Sequence, residues 1–179
     1  MTATIDITDQ DVFGAVRSLL LSILPAGTEV VQGQDNRVPM PLQGANGGFV
    51  VMTSAGQTRL AYNATNYTPG TANPGTKMMQ PATQYAVQLD FYGPSSAAWA
   101  AMTQAVFRDE YATDDMPANI QPLYADDPMQ MPLIDGEEQY EQRWKLTANV
   151  QYNPQITVPQ NFGDTFPIGV NSVDAVAPP

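Results

Sequence analysis

The strongest structural constraint in this sequence is an alternation of side-chain type between residues 140 and 152. One set of alternate positions is apolar or aromatic and comprises Tyr140, Trp144, Leu146, Ala148, Val150 and Tyr152. The intervening positions are Glu141, Arg143, Lys145, Thr147, Asn149 and Gln151. Because successive side chains of a strand point to opposite faces, the pattern predicts a half-buried β-strand. A slip of one residue would expose Trp144 and bury the charges, so the pattern also specifies which face is buried.

A second strand is predicted over residues 83–92. Its residues alternate between an apolar set and a mostly polar set, namely Tyr85, Val87, Leu89 and Phe91 against Gln84, Ala86, Gln88 and Asp90. Gly93 and Pro94 follow and interrupt strand pairing, so we expect the strand to end there. This strand is therefore also expected to bury one face.

Two helices are predicted from the helical spacing of apolar residues. The first covers residues 8–24, with Thr8 as its N-cap and Asp11 completing a capping-box-like pair. The second begins at residue 95 or 96, where a serine can cap it, and runs to about residue 110. The stripe expected to pack on the sheet consists of Trp99, Met102 and Val106.

The remaining segments predict a short strand, a hairpin, a loop and a tail. The short strand lies in the first half of residues 28–39. Residues 49–53 and 57–62 are expected to pair around a turn at Ser54, Ala55 and Gly56. Residues 63–80 are rich in Pro, Gly, Asn and Thr without periodicity, which predicts a long loop.

The order of these elements predicts an α+β fold in which a mostly antiparallel sheet carries two helices on one face. We assign residues 1–154 to a single domain and residues 155–179 to an extended C-terminal tail. No stretch reaches the roughly 20 apolar residues that span a bilayer. The acidic start lacks the basic region of a signal peptide. We therefore expect a chain that is made in the cytoplasm and has no membrane partner.

The composition excludes several kinds of active site. The chain contains no Cys and no His, which removes thiolate nucleophiles, Ser-His-Asp triads, iron–sulfur clusters and imidazole metal ligands. Its 18 acidic and 7 basic residues give a net charge of −11, which disfavours gripping a phosphate backbone. Neither a cofactor nor a metal is predicted.

Residues 109–141, which we call the acidic crossover, contain no Lys or Arg. Four prolines in this segment predict an irregular connection. Its carboxylate pairs could act as acid and base, and a calcium loop is a further alternative, although the spacing of such a loop is missing. We favour a solvated or subunit-facing surface, since adjacent carboxylates do not generally converge on one substrate. If copies formed a ring around DNA, such a surface would repel phosphate.

Several stretches resemble a family of bacteriophage neck and tail terminator proteins. They are residues 30–39, 49–53, 85–94 and 99–111, and they occur in the right order within about residues 8–154. The most specific part is the junction from Gln88 through Gly93 and Pro94 into the helix that carries Trp99. The segment 63–80 and the chain after Pro154 match nothing in that family pattern.

The resemblance implies a structural virion protein of a long-tailed, contractile-tailed phage, without enzyme activity. Such proteins form a ring, usually a hexamer, that caps the finished tail tube and joins it to the head connector. DNA passes through the lumen without specific binding. The implied partners are further copies of the chain, the tail tube protein and the connector proteins. The implied location is the tail or neck of the virion, after assembly in the host cytoplasm.

Within such a ring we expect salt bridges from Arg37, Arg108 and Arg143 to the acidic crossover of the adjacent copy. The crossover residues predicted at this subunit interface are Asp126, Asp127, Glu137 and Glu138. The alternatives are another phage neck, head-completion, baseplate or tube protein, a carboxylate-dependent hydrolase, and a calcium-dependent binding module.

Overall fold

The computed structural model describes residues 2–33, 47–71, 74–134, 140–163 and 169. They form an α+β fold whose strands are mostly antiparallel, as predicted. In chain order the elements are β1 Thr4–Ile5, α1 Asp9–Ile23, β2 Glu29–Gln32, β3 Phe49–Arg59, β4 Ala64–Thr68, β5 Gly75–Gln80, β6 Thr83–Tyr92, α2 Ser96–Phe107, α3 Glu110–Asp115, β7 Ile120–Ala125, β8 Met129–Gln130, β9 Leu133–Ile134, β10 Tyr140–Glu141, β11 Arg143–Tyr152 and β12 Ile156–Gln160.

The main sheet has the strand order β2-β3-β6-β11-β7, and β8 also pairs with β11. Its central strands, β6 and β11, are the two segments with the clearest alternation in the sequence. Leu89 lies opposite Leu146, and Val87 lies opposite Ala148, so the predicted apolar faces coincide. β2 pairs with β3 in parallel, and the other described pairs of this sheet are antiparallel. The predicted strand over 140–152 is divided, because Tyr140 and Glu141 pair with β9 instead.

The three described helices contribute to one hydrophobic core on one face of the main sheet. Buried core residues include Val16 of α1, Phe107 of α2 and Ala112 of α3, together with Leu89 and Leu146 of the sheet. The opposite face carries a separate small cluster of Phe49, Val51 and Tyr92. This one-sided arrangement agrees with the predicted fold.

The first helix follows its prediction, and the second differs in length and orientation. α1 begins after Thr8, whose amide N–H and hydroxyl donate to Asp11 Oδ2 at 2.7 and 2.8 Å. α2 ends at Phe107, before the predicted limit, and the short α3 follows. The prediction that Met102 packs on the sheet is wrong, since it is 36 % exposed. α2 has apolar residues on all sides, so periodicity did not identify the buried face, which consists of Ser96, Trp99, Ala100, Thr103 and Phe107.

The predicted hairpin around residues 54–56 is also wrong. β3 is one continuous strand that pairs with β6 from Phe49 opposite Tyr92 to Arg59 opposite Thr83. The register shifts between Ser54 and Gly56, where Gly56 has a φ of 125°. A glycine at positive φ accommodates a β-bulge, so the strand continues through a sequence that also suits a turn.

The predicted loop over residues 63–80 instead contributes two strands to a second sheet of order β1-β12-β5-β4. β4 and β5 are antiparallel neighbours, with Tyr67 opposite Lys77. The predicted C-terminal tail begins with β12, where Ile156 lies opposite both Met79 of β5 and Ile5 of β1. We call this second sheet, together with residues 59–63 at and after the end of β3, the arm. Most of the predicted tail after residue 163 lies outside the described residues.

The acidic crossover is more regular than predicted, since it contains α3, β7 and β8. β7 is an edge strand of the main sheet, and its register against β11 shifts between Asn149 and Val150. Pro122 lies opposite Val150 at this irregularity. Edge strands and bulges tolerate proline, because no ladder hydrogen bond from its nitrogen is required there.

Candidate functional site

Arg143, which was predicted to contact an adjacent copy, is paired within its own chain. Its Nε and a terminal guanidinium nitrogen donate to Asp90 Oδ1 at 3.0 and 2.8 Å. Asp90 is only 3 % exposed, and Gln88 Nε2 donates to its other oxygen at 2.7 Å. β6 and β11 carry these residues on the sheet face opposite the helices. The pair therefore neutralises a buried carboxylate, and a contact of Arg143 with another copy stays a prediction.

Aromatic side chains enclose this ion pair. The Arg143 guanidinium lies 5.6 Å from the centre of the Tyr92 ring, and Tyr92 stacks on Phe49 with ring centres 4.6 Å apart. Burial raises the pKa of the Tyr92 phenol, with the neighbouring Arg143 charge opposing that shift. The phenol is therefore neutral at physiological pH. Arg143, Asp90, Tyr92 and Phe49 together form a contact that joins β11, β6 and β3.

Arg108 and Asp127, both predicted at the subunit interface, lie close together in one chain. An Arg108 guanidinium nitrogen lies 3.6 Å from Asp127 Oδ1 and donates to the Ala125 carbonyl at 2.8 Å. Gln104 also donates to Asp127 Oδ1 at 2.6 Å. Both charged side chains are largely exposed, so this ion pair holds α2 to the crossover without being buried. Asp126 is exposed beside it, and its interfacial role stays a prediction.

Three of the predicted interface residues, Arg37, Glu137 and Glu138, lie outside the described residues. The structure therefore brings Arg108 and Asp127 together within one chain, and it pairs Arg143 with Asp90 of β6. Contacts between copies for all seven predicted residues stay predictions.

Sequence reasoning missed a second exposed surface on the arm. Tyr62 is 94 % exposed, and Leu60, Tyr67 and Ile5 are also exposed. Arg59, at the end of β3, lines an open depression of about 520 Å³ with Leu60, Ala61 and Tyr62. The sequence did offer one sign of this surface, which is its charge. Residues 47–89 contain two basic residues and no acidic residue. The irregular apolar pattern of residues 63–80 gave no indication of strands.

The exposed part of the acidic crossover combines carboxylates with large apolar side chains. Glu110, Asp114 and Asp115 are exposed on α3. Exposed apolar residues of the same segment are Tyr111, Leu123, Tyr124, Met129 and Met131. Tyr and Met are enriched in protein interfaces, so these exposed side chains make the crossover a candidate contact region.

The described part of the chain contains no group of acidic side chains that could hold a metal ion. None of its helices is long and apolar enough to cross a bilayer. The carboxylate pairs Asp126 with Asp127 and Asp114 with Asp115 are exposed at the protein surface.

Comparison with models of known protein families identifies the family of this chain. A family model described as phage neck terminator protein matches residues 10–174, which is almost the whole chain. The chain belongs to this phage neck terminator family. No curated protein matches the sequence.

As a phage neck terminator, the protein is a structural component of the phage neck and hence of the virion. The family match confirms the resemblance that the strand-to-helix junction and its flanking segments indicated. It also includes β4, β5 and β12 of the arm and most of the chain after Pro154, which those segments left out. The surfaces of this neck terminator are therefore the features that its function depends on.

Proposed function

We propose that copies of this chain form a closed ring, a hexamer, which ends the tail tube and joins it to the head connector. The observation that supports this function is membership of the neck terminator family over residues 10–174. A cyclic ring requires head-to-tail contacts between two different surfaces of each copy. The exposed arm and the exposed acidic crossover provide two such surfaces.

The ring encloses a lumen through which DNA passes without specific binding. The net charge of −11 supports this part of the proposal, since carboxylates repel a phosphate backbone. The four described basic side chains outside the arm do not form a groove of free cations, because Arg108 and Arg143 are held by acidic partners of their own chain. DNA therefore meets no continuous basic track on the described surface.

The first test is the assembly state of the purified protein, measured by native mass and negative-stain electron microscopy. We expect closed rings of uniform size that do not lengthen with time or concentration. Tubes that elongate would contradict a terminator and support a tube subunit instead. Assembly is expected in the host cytoplasm, so the same rings should be recovered from cells that express the chain alone.

The second test uses the phage itself. Removal of the gene should give tails without a defined end and heads that lack joined tails, and the intact gene supplied in trans should restore joined particles. A labelled copy should be found at the head–tail junction. Normal particles without the protein, or a label located at the distal end of the tail, would contradict the proposed function.

A further inference from the structure

We propose that the arm of one copy docks on the acidic crossover of the next copy, and this inference rests on the ring proposed above. The arm surface comprises Ile5, Arg59, Leu60, Tyr62, Tyr67 and Lys77. The crossover surface is the exposed side of α3 and comprises Glu110, Tyr111, Asp114 and Asp115. The contact joins exposed apolar side chains on both sides and pairs the two arm cations with the carboxylates.

One face of the arm sheet carries several large side chains that are exposed or half-buried, and Phe162 packs against Tyr67 at its edge. The strand register places Ile5, Ile156 and Met79 in one row across the sheet. The next row contains Val158, Lys77 and Tyr67. Among the described elements, the arm strands pack chiefly on one another and not on the helices. A single sheet layer with an apolar face gains stability when a partner covers that face.

The cations of the arm lack acidic partners within the described chain. Arg59 donates to the Ala61 carbonyl and to Asn63, and its guanidinium lies 5.9 Å from the centre of the Tyr62 ring. Lys77 Nζ lies 5.6 Å from the centre of the Tyr67 ring. Each cation therefore sits beside an exposed aromatic ring, and aromatic residues and Arg are enriched in protein interfaces.

The crossover surface has the complementary composition. Glu110, Asp114 and Asp115 project from α3, and the segment from 109 to 141 has no Lys or Arg to neutralise them. Tyr111, in the same short helix, supplies exposed aromatic area beside these charges. Opposite charge across an interface fixes its orientation and disfavours contact between two like surfaces. An arm should therefore meet a crossover and not a second arm.

The position of the two surfaces points to a second copy of this chain as the partner. The arm leaves the main sheet where β3 ends and β6 begins, at Arg59 and Thr83. The crossover instead forms the other edge of the sheet through β7 and β8, and β6 and β11 lie between β3 and that edge. Complementary surfaces at different sites of one chain produce a head-to-tail contact, which is the kind that a cyclic ring needs.

A charge-swap experiment tests this contact on the full chain. Variant A carries Arg59→Glu and Lys77→Glu, and variant B carries Asp114→Lys and Asp115→Lys. Each variant alone brings like charges together, so we expect its self-association to weaken about tenfold or more. In an equimolar mixture every arm can meet a crossover of opposite charge, so rings of alternating A and B should form. Native mass and electron microscopy report the result.

A matched control separates the proposed contact from a general effect of charge. Gln10→Glu with Ser18→Glu lies on the exposed side of α1 and changes the net charge as much as Lys77→Glu alone does. We expect the control to form rings and Lys77→Glu to associate more weakly. Thermal melting identifies any variant that fails to fold. Should variant A fold poorly, Lys77→Glu mixed with Asp114→Lys provides the same complementation test.

The outcomes distinguish this inference from the proposed function. Rings formed by variants A and B separately, as readily as by the unmodified chain, would overturn the arm contact and leave the ring intact. Weakened variants that do not recover on mixing would also overturn it, and would favour a different partner for one of the surfaces. An unmodified chain that assembles only into growing tubes, with complementation retained, would support the contact and contradict the terminator.

Discussion

Arg143 and Asp90 lie on adjacent strands of the main sheet and form an ion pair in which Arg143 contacts a single carboxylate oxygen twice, at 2.8 and 3.0 Å. Asp90 occurs within the strand-to-helix junction that carried the family resemblance. The pairing gives that junction a structural reason, because the carboxylate is buried and needs a cation and a donor. It also explains why Arg143 is held in its own chain.

Arg143→Met should destabilise the protein by about 3–5 kcal/mol, since it leaves the buried Asp90 charge without its cation. Denaturant unfolding measures this change in the free energy of unfolding. Arg108→Met is the matched control, because the ion pair of Arg108 with Asp127 is largely exposed and lies away from Asp90. It should change stability by less than about 1 kcal/mol. Addition of Asp90→Asn to Arg143→Met should recover a large part of the loss; no recovery would contradict an uncompensated charge as the cause.

Gly93→Ala should destabilise the protein by at least about 1–3 kcal/mol. Gly93 has a φ of 98°, and a Cβ atom there would overlap the Gly47 carbonyl. Gly14→Ala is the control within α1, where a Cβ meets nothing within 4 Å. That change should stabilise the protein by about 0.5–1 kcal/mol through helix propensity. Thermal unfolding of the two variants should therefore shift in opposite directions, and equal shifts would count against this account.

Thr103→Val should leave stability unchanged or raise it by about 1 kcal/mol. The Thr103 hydroxyl is fully buried against the sheet and has no hydrogen-bond partner among the described residues. Replacement of an unsatisfied hydroxyl by a methyl group of similar shape removes a desolvation penalty. Thr113→Val, at an exposed position of α3, is the control and should have a smaller effect. A clear loss of stability in Thr103→Val would indicate that the hydroxyl is hydrogen-bonded.

The capping box of α1 should contribute a pH-dependent stabilisation. The backbone and side-chain hydrogen bonds from Thr8 lower the pKa of Asp11 from its ordinary value of 3.8. Because the pKa of Asp11 is lower in the folded state, its carboxylate stabilises the protein at any pH above the pKa of the unfolded state. This stabilisation is lost as the pH falls through the folded-state pKa. Asp11→Asn should therefore lower the melting temperature at neutral pH. The difference in melting temperature from the unmodified chain should shrink as the pH falls below the ordinary pKa of 3.8. Asp9→Asn, in the same helical turn, is the control for the helix dipole. A difference that persists unchanged in acid would contradict the carboxylate as its source.

The sequence by itself determined the elements that carry a strong local pattern. β6 and the main part of β11 alternate over ten residues each, so their buried faces follow from the pleat of a strand. α1 combines a capping box with helical spacing, and its bounds agree with the prediction to within a residue. From these elements the α+β class followed, because a sheet with one apolar face must be covered by the helices between its strands.

The site was only partly accessible from sequence. The run without basic residues identified the acidic crossover, and its exposed surface carries the predicted charges. Arg108 and Arg143 were predicted to pair with carboxylates of an adjacent copy. The structure pairs them within their own chain, which the sequence does not reveal. Asp90 lies 53 residues from Arg143 and meets it only through the register of β6 and β11.

Only the tertiary structure decided the arm and the path of β3. β4 is exposed on both faces, so it has no alternation that a sequence can display. β12 is held by Met79 and Ile5, which are distant in the chain, and Gly56 fits a bulge as well as a turn. Local patterns report burial and backbone preference, whereas strand partners are selected by contacts between remote segments. That selection depends on the whole fold, which is why the sequence revealed the core of this neck terminator and the structure revealed its arm.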